Sequence, residues 1–179
     1  MNAMKTTAIV ALLLMVFAIG CATAKKSTLT GSVVVPVTPV DSLPRVTGIG
    51  GIFFKTKSAK QSREWYHQHL GLNTDNYGSP FEFRNANRPE EINYLEWSPF
   101  SEKTTYFNPS KKDFMINYRV QYIEKLVENL KRDGVVVLDT IETYDYGKFV
   151  HIMDADSIKI ELWEPIDSIL TKKGGKTTK

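Results

Sequence analysis

An α+β domain made of two βαβββ modules is what the sequence predicts, and three observations predict it. The order strand, helix, then several short strands occurs twice along the chain. The copies are offset by a nearly constant interval: 64 residues separate Gly51 from Met115, 63 separate Gly71 from Gly134, and 66 separate Trp97 from Trp163. A period of this length that occurs only twice describes a duplicated module rather than a solenoid array.

In the first copy, residues 46–56 read as a glycine-rich strand. Residues 58–70 carry Trp65, Tyr66 and Leu70 at helical spacing, and Gly71 stands where a C-cap is needed. Short strands are expected at 73–77, 81–84 and 92–97, ahead of a loop bracketed by Pro99 and Pro109. In the second copy, 114–120 alternates as a strand. Residues 123–131 place Ile123, Leu126, Val127 and Leu130 on one helical stripe, and Gly134 ends the helix. Strands are then expected at 135–138, 144–151 and 158–163. The last follows the turn Asp154-Ala155-Asp156-Ser157, whose side chains favour chain reversal, and it alternates Ile158, Ile160 and Leu162 with Lys159, Glu161 and Trp163.

One helix per module covers one sheet face, so the opposite faces are left to curve around a shared cleft of the kind that takes small ligands. Alternation assigns Gly51 and Phe53 to the cleft face in the first copy, and Met115, Asn117 and Arg119 in the second. Ile52, Phe54, Ile116, Tyr118 and Val120 face the helices. The substrate-binding set expected on this basis is Phe53, Trp97, Met115, Asn117 and Arg119, the last two orienting an anionic or carbonyl ligand. Trp97, Tyr106, Phe107, Tyr144 and Tyr146 read either as the cleft's aromatic lining or as ordinary core and edge residues. His67 and His69, two apart on a helix, point in different directions and read as surface residues.

With 179 residues, 42% hydrophobic and 24% charged, the chain supports one compact domain. The net charge of +3 is concentrated in the tails, which leaves no basic stripe on the body and excludes nucleic acid as an expected partner. Residues 1–25 read as an export signal: Lys5, then an apolar run at 8–19 that is short for a membrane span. Ala18-Ile19-Gly20-Cys21 is similar to a bacterial lipobox, with the single cysteine as the acylated residue. Ala22-Thr23-Ala24 is the alternative cleavage site and implies simple secretion. The expected location is therefore exported and lipid-anchored to a bacterial membrane through Cys21. Residues 26–44, with Pro36 and Pro39, read as an extended linker, and 167–179, with Gly174-Gly175 and four lysines, as a disordered tail.

Gly48-Ile49-Gly50-Gly51-Ile52-Phe53-Phe54, Trp65-Tyr66, His69-Leu70-Gly71, Asp154-Ala155-Asp156-Ser157 and Ile160-Glu161-Leu162 together resemble the vicinal oxygen chelate superfamily. That superfamily includes glyoxalase I, fosfomycin and bleomycin resistance proteins and extradiol dioxygenases. The resemblance spans residues 45–166, with modules at 45–100 and 113–166; Ala155 and Ser157 depart from the usual Pro and Gly. It implies a divalent metal held by His, Gln or Glu from the first and last strand of each module, positions read here as Gly51, Leu95, Met115 and Glu161. Only Glu161 is a donor for a hard or borderline ion. The expectation is a cleft that binds a small molecule without a cofactor, as a monomer or homodimer. A lyase or dioxygenase with a divalent metal at Glu161 is the alternative, and a structural or partner-binding lipoprotein the second. His151, ten residues before Glu161, is its expected catalytic partner as an acid/base pair if both share the cleft face.

Overall fold

The computed structural model describes residues 42–178. The export signal, Cys21 and nearly all of the linker lie outside the described residues. At the centre, β1 (Arg45–Thr56) runs antiparallel to β4 (Phe114–Gln121) and joins the two halves of one sheet. On the β1 side stand β3 (Ile92–Ser101), parallel to β1, and β2 (Ser79–Arg84), antiparallel to β3. On the β4 side stand β8 (Lys159–Pro165), parallel to β4, and β7 (Gly147–Met153), antiparallel to β8. Short strands β5 (Val136–Val137) and β6 (Glu142–Tyr144) both pair with β7.

The register has an approximate twofold relation. Gly51 lies opposite Asn117 across the centre, and each has a glutamate on its outer parallel neighbour: Glu96 beside Gly51 and Glu161 beside Asn117. β1 follows β4 only with register shifts between Val46 and Gly48 and between Ile49 and Gly51, so its glycines sit in an irregular strand. Gly50 is required there: a Cβ would lie 2.1 Å from Asn117 Oδ1 and 2.8 Å from Trp163 Cε3.

Helix α2 (Ile123–Arg132) covers one face of the β4 side. Ile123 and Val127 pack there with Val120, Val150, Ile152 and Leu162, the alternating apolar residues that the sequence places toward a helix. Glu164 of β8 accepts the backbone N–H of Tyr122 at 2.5 Å, satisfying a group at the start of α2. Helix α1 (Ala59–Leu70) is capped by Ser58 and by Gly71 at φ 71°, but buries no residue fully. Its hold on the sheet is aromatic: Trp97 meets Tyr66 at 4.4 Å and Phe54 at 5.3 Å between ring centres.

Three local expectations change. Residues 73–77 form a loop rather than a strand, because the Asp75 carboxylate accepts the N–H groups of Tyr77 and Gly78 at 2.7 and 2.9 Å and closes a turn. The strand expected at 144–151 breaks after Tyr144 into β6 and β7, with Gly147 at φ 147° in the reversal. The tail expected to be disordered contains α3 (Asp167–Lys173) and an isolated bridge from Thr178 to Phe81. Its glycines and lysines suggested a solvated end. Asp167, Thr171, Lys173 and Thr178 instead each find a partner on the body. No helix among the described residues is long and apolar enough to cross a membrane.

Candidate functional site

Glu161 is the centre of the polar cluster on the cleft face. It is 4% exposed, and a buried carboxylate needs several donors. Asn117 Nδ2 donates to Oε1 at 2.6 Å; the Tyr106 hydroxyl and His151 Nε2, the latter at 3.0 Å, both meet Oε2. Strand register supplies two of the three, because Asn117 and His151 are the direct neighbours of Glu161 on β4 and β7. Tyr106 comes from the loop between β3 and β4. Its ring stacks on Phe100 at 5.6 Å, and its carbonyl accepts Lys159 Nζ at 2.7 Å.

His151 is fixed from both sides. Asp139, on the segment between β5 and β6, accepts the His151 backbone N–H at 2.8 Å and meets Nδ1 at 2.6 Å. Burial opposes charge on the imidazole, but the bonds to Glu161 and Asp139 carry its pKa above the usual 6.5. For Glu161 burial pushes upward, and the bonds from His151, Tyr106 and Asn117 outweigh it and hold the carboxyl below 4.5. Both shifts favour the charged form of the pair, imidazolium beside carboxylate. Burial and the adjacent Glu161 charge raise the Tyr106 hydroxyl far beyond its normal range, so it remains a donor.

A hollow of about 560 Å³ opens in front of this cluster, lined by Tyr106, Asp139, Glu142, Tyr144, Tyr146, Phe149, His151, Lys159 and Glu161. Its aromatic side is continuous: Tyr144 stacks on Tyr146 at 5.5 Å, and both meet the edge of Phe149, which stacks on Trp163 at 5.7 Å. The arrangement presents flat apolar surface, a positive Lys159 and hydrogen-bonding groups from His151 and Glu142 within one cavity.

The remaining predicted site residues are not brought together. Trp97 lies on the α1 side between Phe54 and Tyr66 and does not line the cleft. Phe53 and Met115 are on the expected face, but Phe107 from the β3–β4 loop fills the space over them; Met115 and Phe107 are both 0% exposed. They are core there, since a side chain in complete contact with neighbours has no surface left for a ligand. Register also corrects the four positions carried over from the resemblance. Asn117, not Met115, pairs with Gly51, and Glu96, not Leu95, is the counterpart of Glu161. Glu96, Asp139 and Lys159 are the polar residues the sequence reading missed. Lys159 was signalled by sharing the alternation of Glu161; Asp139 had no signal.

Those four corrected positions do not form a metal centre. Gly51 has no donor, and Asn117 turns its N–H toward Glu161. Glu96 and Glu161 line different cavities, and Glu96, pushed up to about 8 by burial and by Asp75, resists ionisation. Both oxygens of Glu161 are engaged, Oε1 by Asn117 and Oε2 by Tyr106 and His151. Among the described residues, no group of three His, Cys, Asp or Glu side chains is placed to hold a metal ion.

Arg119, next on the same face of β4, is buried under the C-terminal helix. Its Nη2 meets Asp167 Oδ2 at 2.5 Å, its Nη1 donates to the Tyr94 carbonyl at 3.1 Å, and its guanidinium lies 5.1 Å from the Trp163 ring centre.

No family model matches the chain, and no curated protein matches it. Solved structures do. A Streptomyces coelicolor methylmalonyl-CoA epimerase in complex with 2-nitronate-propionyl-CoA superposes with a TM-score of 0.51 at 12% identity, covering 68% of this chain and 96% of that one. The fold is the vicinal oxygen chelate fold. Methylmalonyl-CoA epimerase from Mycobacterium tuberculosis, at 20% identity, covers 70% of this chain and 93% of its own with a TM-score of 0.47. A glyoxalase/bleomycin resistance protein/dioxygenase superfamily member from Vibrio splendidus 12B01, at 14% identity, covers 68% and 99% with a TM-score of 0.41. In this chain the paired central positions of the sheet are Gly51 and Asn117, and the outer position beside Asn117 carries the cluster of His151, Glu161 and Tyr106.

Proposed function

We propose that this domain binds a small molecule carrying a flat apolar part and hydrogen-bonding groups in the hollow beside His151 and Glu161, without a metal. One observation carries the reading. Glu161, the residue the fold would use as a metal ligand, is fully committed to Tyr106, Asn117 and His151 and so shapes one wall of an aromatic-lined cavity. Stacking on Tyr146 and Phe149 supplies affinity, while His151, Lys159 and Glu142 supply orientation.

The test is a nuclear magnetic resonance titration of the labelled chain with a panel of phenols, aromatic acids and aromatic amines. Support would be saturable shifts concentrated at residues 139–151 that vanish in Phe149→Ala. A panel that produces none, or shifts indifferent to that substitution, would overturn the proposal.

A second reading has its own observation. The chain of bonds from Asp139 through His151 to Glu161 is the arrangement of a positioned acid beside a carboxylate base, and it would serve proton transfer to a bound carbonyl compound. A ligand whose exchangeable α-proton is lost to solvent with the wild-type chain and retained with His151→Gln would favour it. Export and lipid attachment at Cys21 complete the proposal on the strength of the lipobox-like sequence alone. Labelled palmitate incorporated by the wild type and absent from Cys21→Ser tests that part.

A further inference from the structure

Beyond the hollow at His151, the other half of the cleft holds a buried cation whose partner is supplied by the chain's own end. Arg119, with a side chain 4% exposed, cannot lie there without an anion, because an unpaired buried charge is strongly destabilising. α3 delivers that anion as Asp167. The fit is incomplete: Arg119 Nη2 and Asn93 Nδ2 both converge on Oδ2, at 2.5 and 3.2 Å, while Oδ1 is buried without a partner. A guanidinium pairs best with both oxygens of a carboxylate. The Asp167 carboxylate, tethered to a helix, uses one.

Behind α3 lies a cavity of about 250 Å³, bounded by Pro80, Tyr94, Leu95, Trp163 and Leu170 among others. Trp163 is shared between this cavity and the Arg119 guanidinium. Leu170 and Lys173 follow Asp167 at intervals of three and so lie on the same side of the helix. Leu170 enters the cavity, and Lys173 reaches Asp145 at 3.0 Å and the Tyr146 ring at 5.0 Å. Anion, apolar group and cation are thus laid along one face of a helix of two turns. Each meets a complementary patch.

We infer that the Arg119–Trp163 half of the cleft is a binding site for a small carboxylate with an apolar tail, and that α3 occupies it as an internal competitor through Asp167 and Leu170. The external carboxylate would take both nitrogens that Asp167 now shares on a single oxygen, and its tail would enter the cavity behind the helix. α3 would then be displaced rather than unfolded from the core, since no residue of it is fully buried. This site is separate from the hollow at His151, and its failure would leave the proposal for that hollow untouched.

The experiment uses the full chain and hexanoate as the probe, read by tryptophan fluorescence, with Trp163→Phe assigning the signal and methyl hexanoate as the uncharged control. Asp167→Asn, which withdraws the internal carboxylate, is expected to bind hexanoate at least about tenfold more tightly than the wild type and to gain nothing for the ester. Adding Arg119→Gln to Asp167→Asn should abolish the gain. Lys173→Ala, which releases the far end of α3 from Asp145 and Tyr146 and removes no contact of Arg119 or Trp163, should give a smaller gain in the same direction. The inference is overturned if a folded Asp167→Asn chain shows no gain, or gains equally for the ester. It is also overturned, should Asp167→Asn fail to fold, by a Lys173→Ala chain with wild-type affinity.

Discussion

Replacing Glu161 by Gln keeps the shape of the side chain and removes its charge, so the cost can be worked from the three bonds it accepts. Two of them, from the Tyr106 hydroxyl and His151 Nε2, change from charge-assisted to neutral. The third donor, Asn117 Nδ2 at 2.6 Å, would face the new amide N–H₂. Asn117 can answer by rotating its amide, because its Oδ1 is buried without a partner and is free to accept. What remains is about 1 kcal/mol for each of the two weakened bonds, or roughly 2 kcal/mol where both groups are charged.

The pH dependence of that cost follows from the two shifts. Glu161 is held below 4.5, so its contribution is present above the unfolded value and is lost as pH falls through the folded one. His151 is raised above 6.5, so its contribution is complete below that value and is lost as pH rises through the higher folded one. The difference in unfolding free energy between wild type and Glu161→Gln should be largest from about pH 5 to 6.5 and shrink on both sides. Urea unfolding of both proteins across that range measures it. A difference constant with pH, or below about 0.5 kcal/mol throughout, would refute the reasoning, since it would mean that the charged pair adds nothing to folding.

Three further outcomes are expected. Tyr106→Phe removes one donor from Glu161 and should cost about 1–2 kcal/mol in urea unfolding while moving the acid unfolding midpoint upward, because the carboxylate loses a bond that favours its charge. Gly50→Ala places a Cβ against Asn117 Oδ1 and Trp163, and should destabilise the fold by about 3 kcal/mol, seen as a lowered Tm. Trp97→Ala should cost about 2 kcal/mol through lost contacts with Tyr66 and Phe54, less than a fully buried Trp, and leave binding in the His151 hollow unchanged by titration.

The helix-facing half of the design was legible in the sequence, because alternation in β4 and β8 and the stripe of α2 all refer to one apolar layer. The face of Glu161 was legible for the same reason, but whether His151 shares it depended on the length of the turn before β8, and the strand register decides it by pairing the two. The opposite central positions were not. Trp97 and Trp163, 66 apart, invited a register in which Leu95 matches Glu161, whereas pairing matches Glu96 with Glu161 at 65. A slip of one residue exchanges the faces of a strand, so Trp97 moved from the cleft to the helix side and a glutamate was overlooked. Phe107 filling the cleft over Phe53 and Met115 depends on the path of a loop, for which the sequence carries no period. The anchoring of α3 is likewise invisible locally, because its lysines and glycines are solvated or bound according to what stands opposite them.

The most direct test of the account is the metal content of the chain. Purified protein, incubated in turn with Ni, Zn, Mn and Fe(II) and then desalted, is assayed by elemental analysis alongside Glu161→Gln. An organising carboxylate, bonded to Tyr106, Asn117 and His151, predicts far less than one equivalent in both proteins and no rise in Tm with any of the four ions. One equivalent held by the wild type and lost in Glu161→Gln would contradict it, and would make Glu161 a metal ligand instead of the wall of a binding cavity.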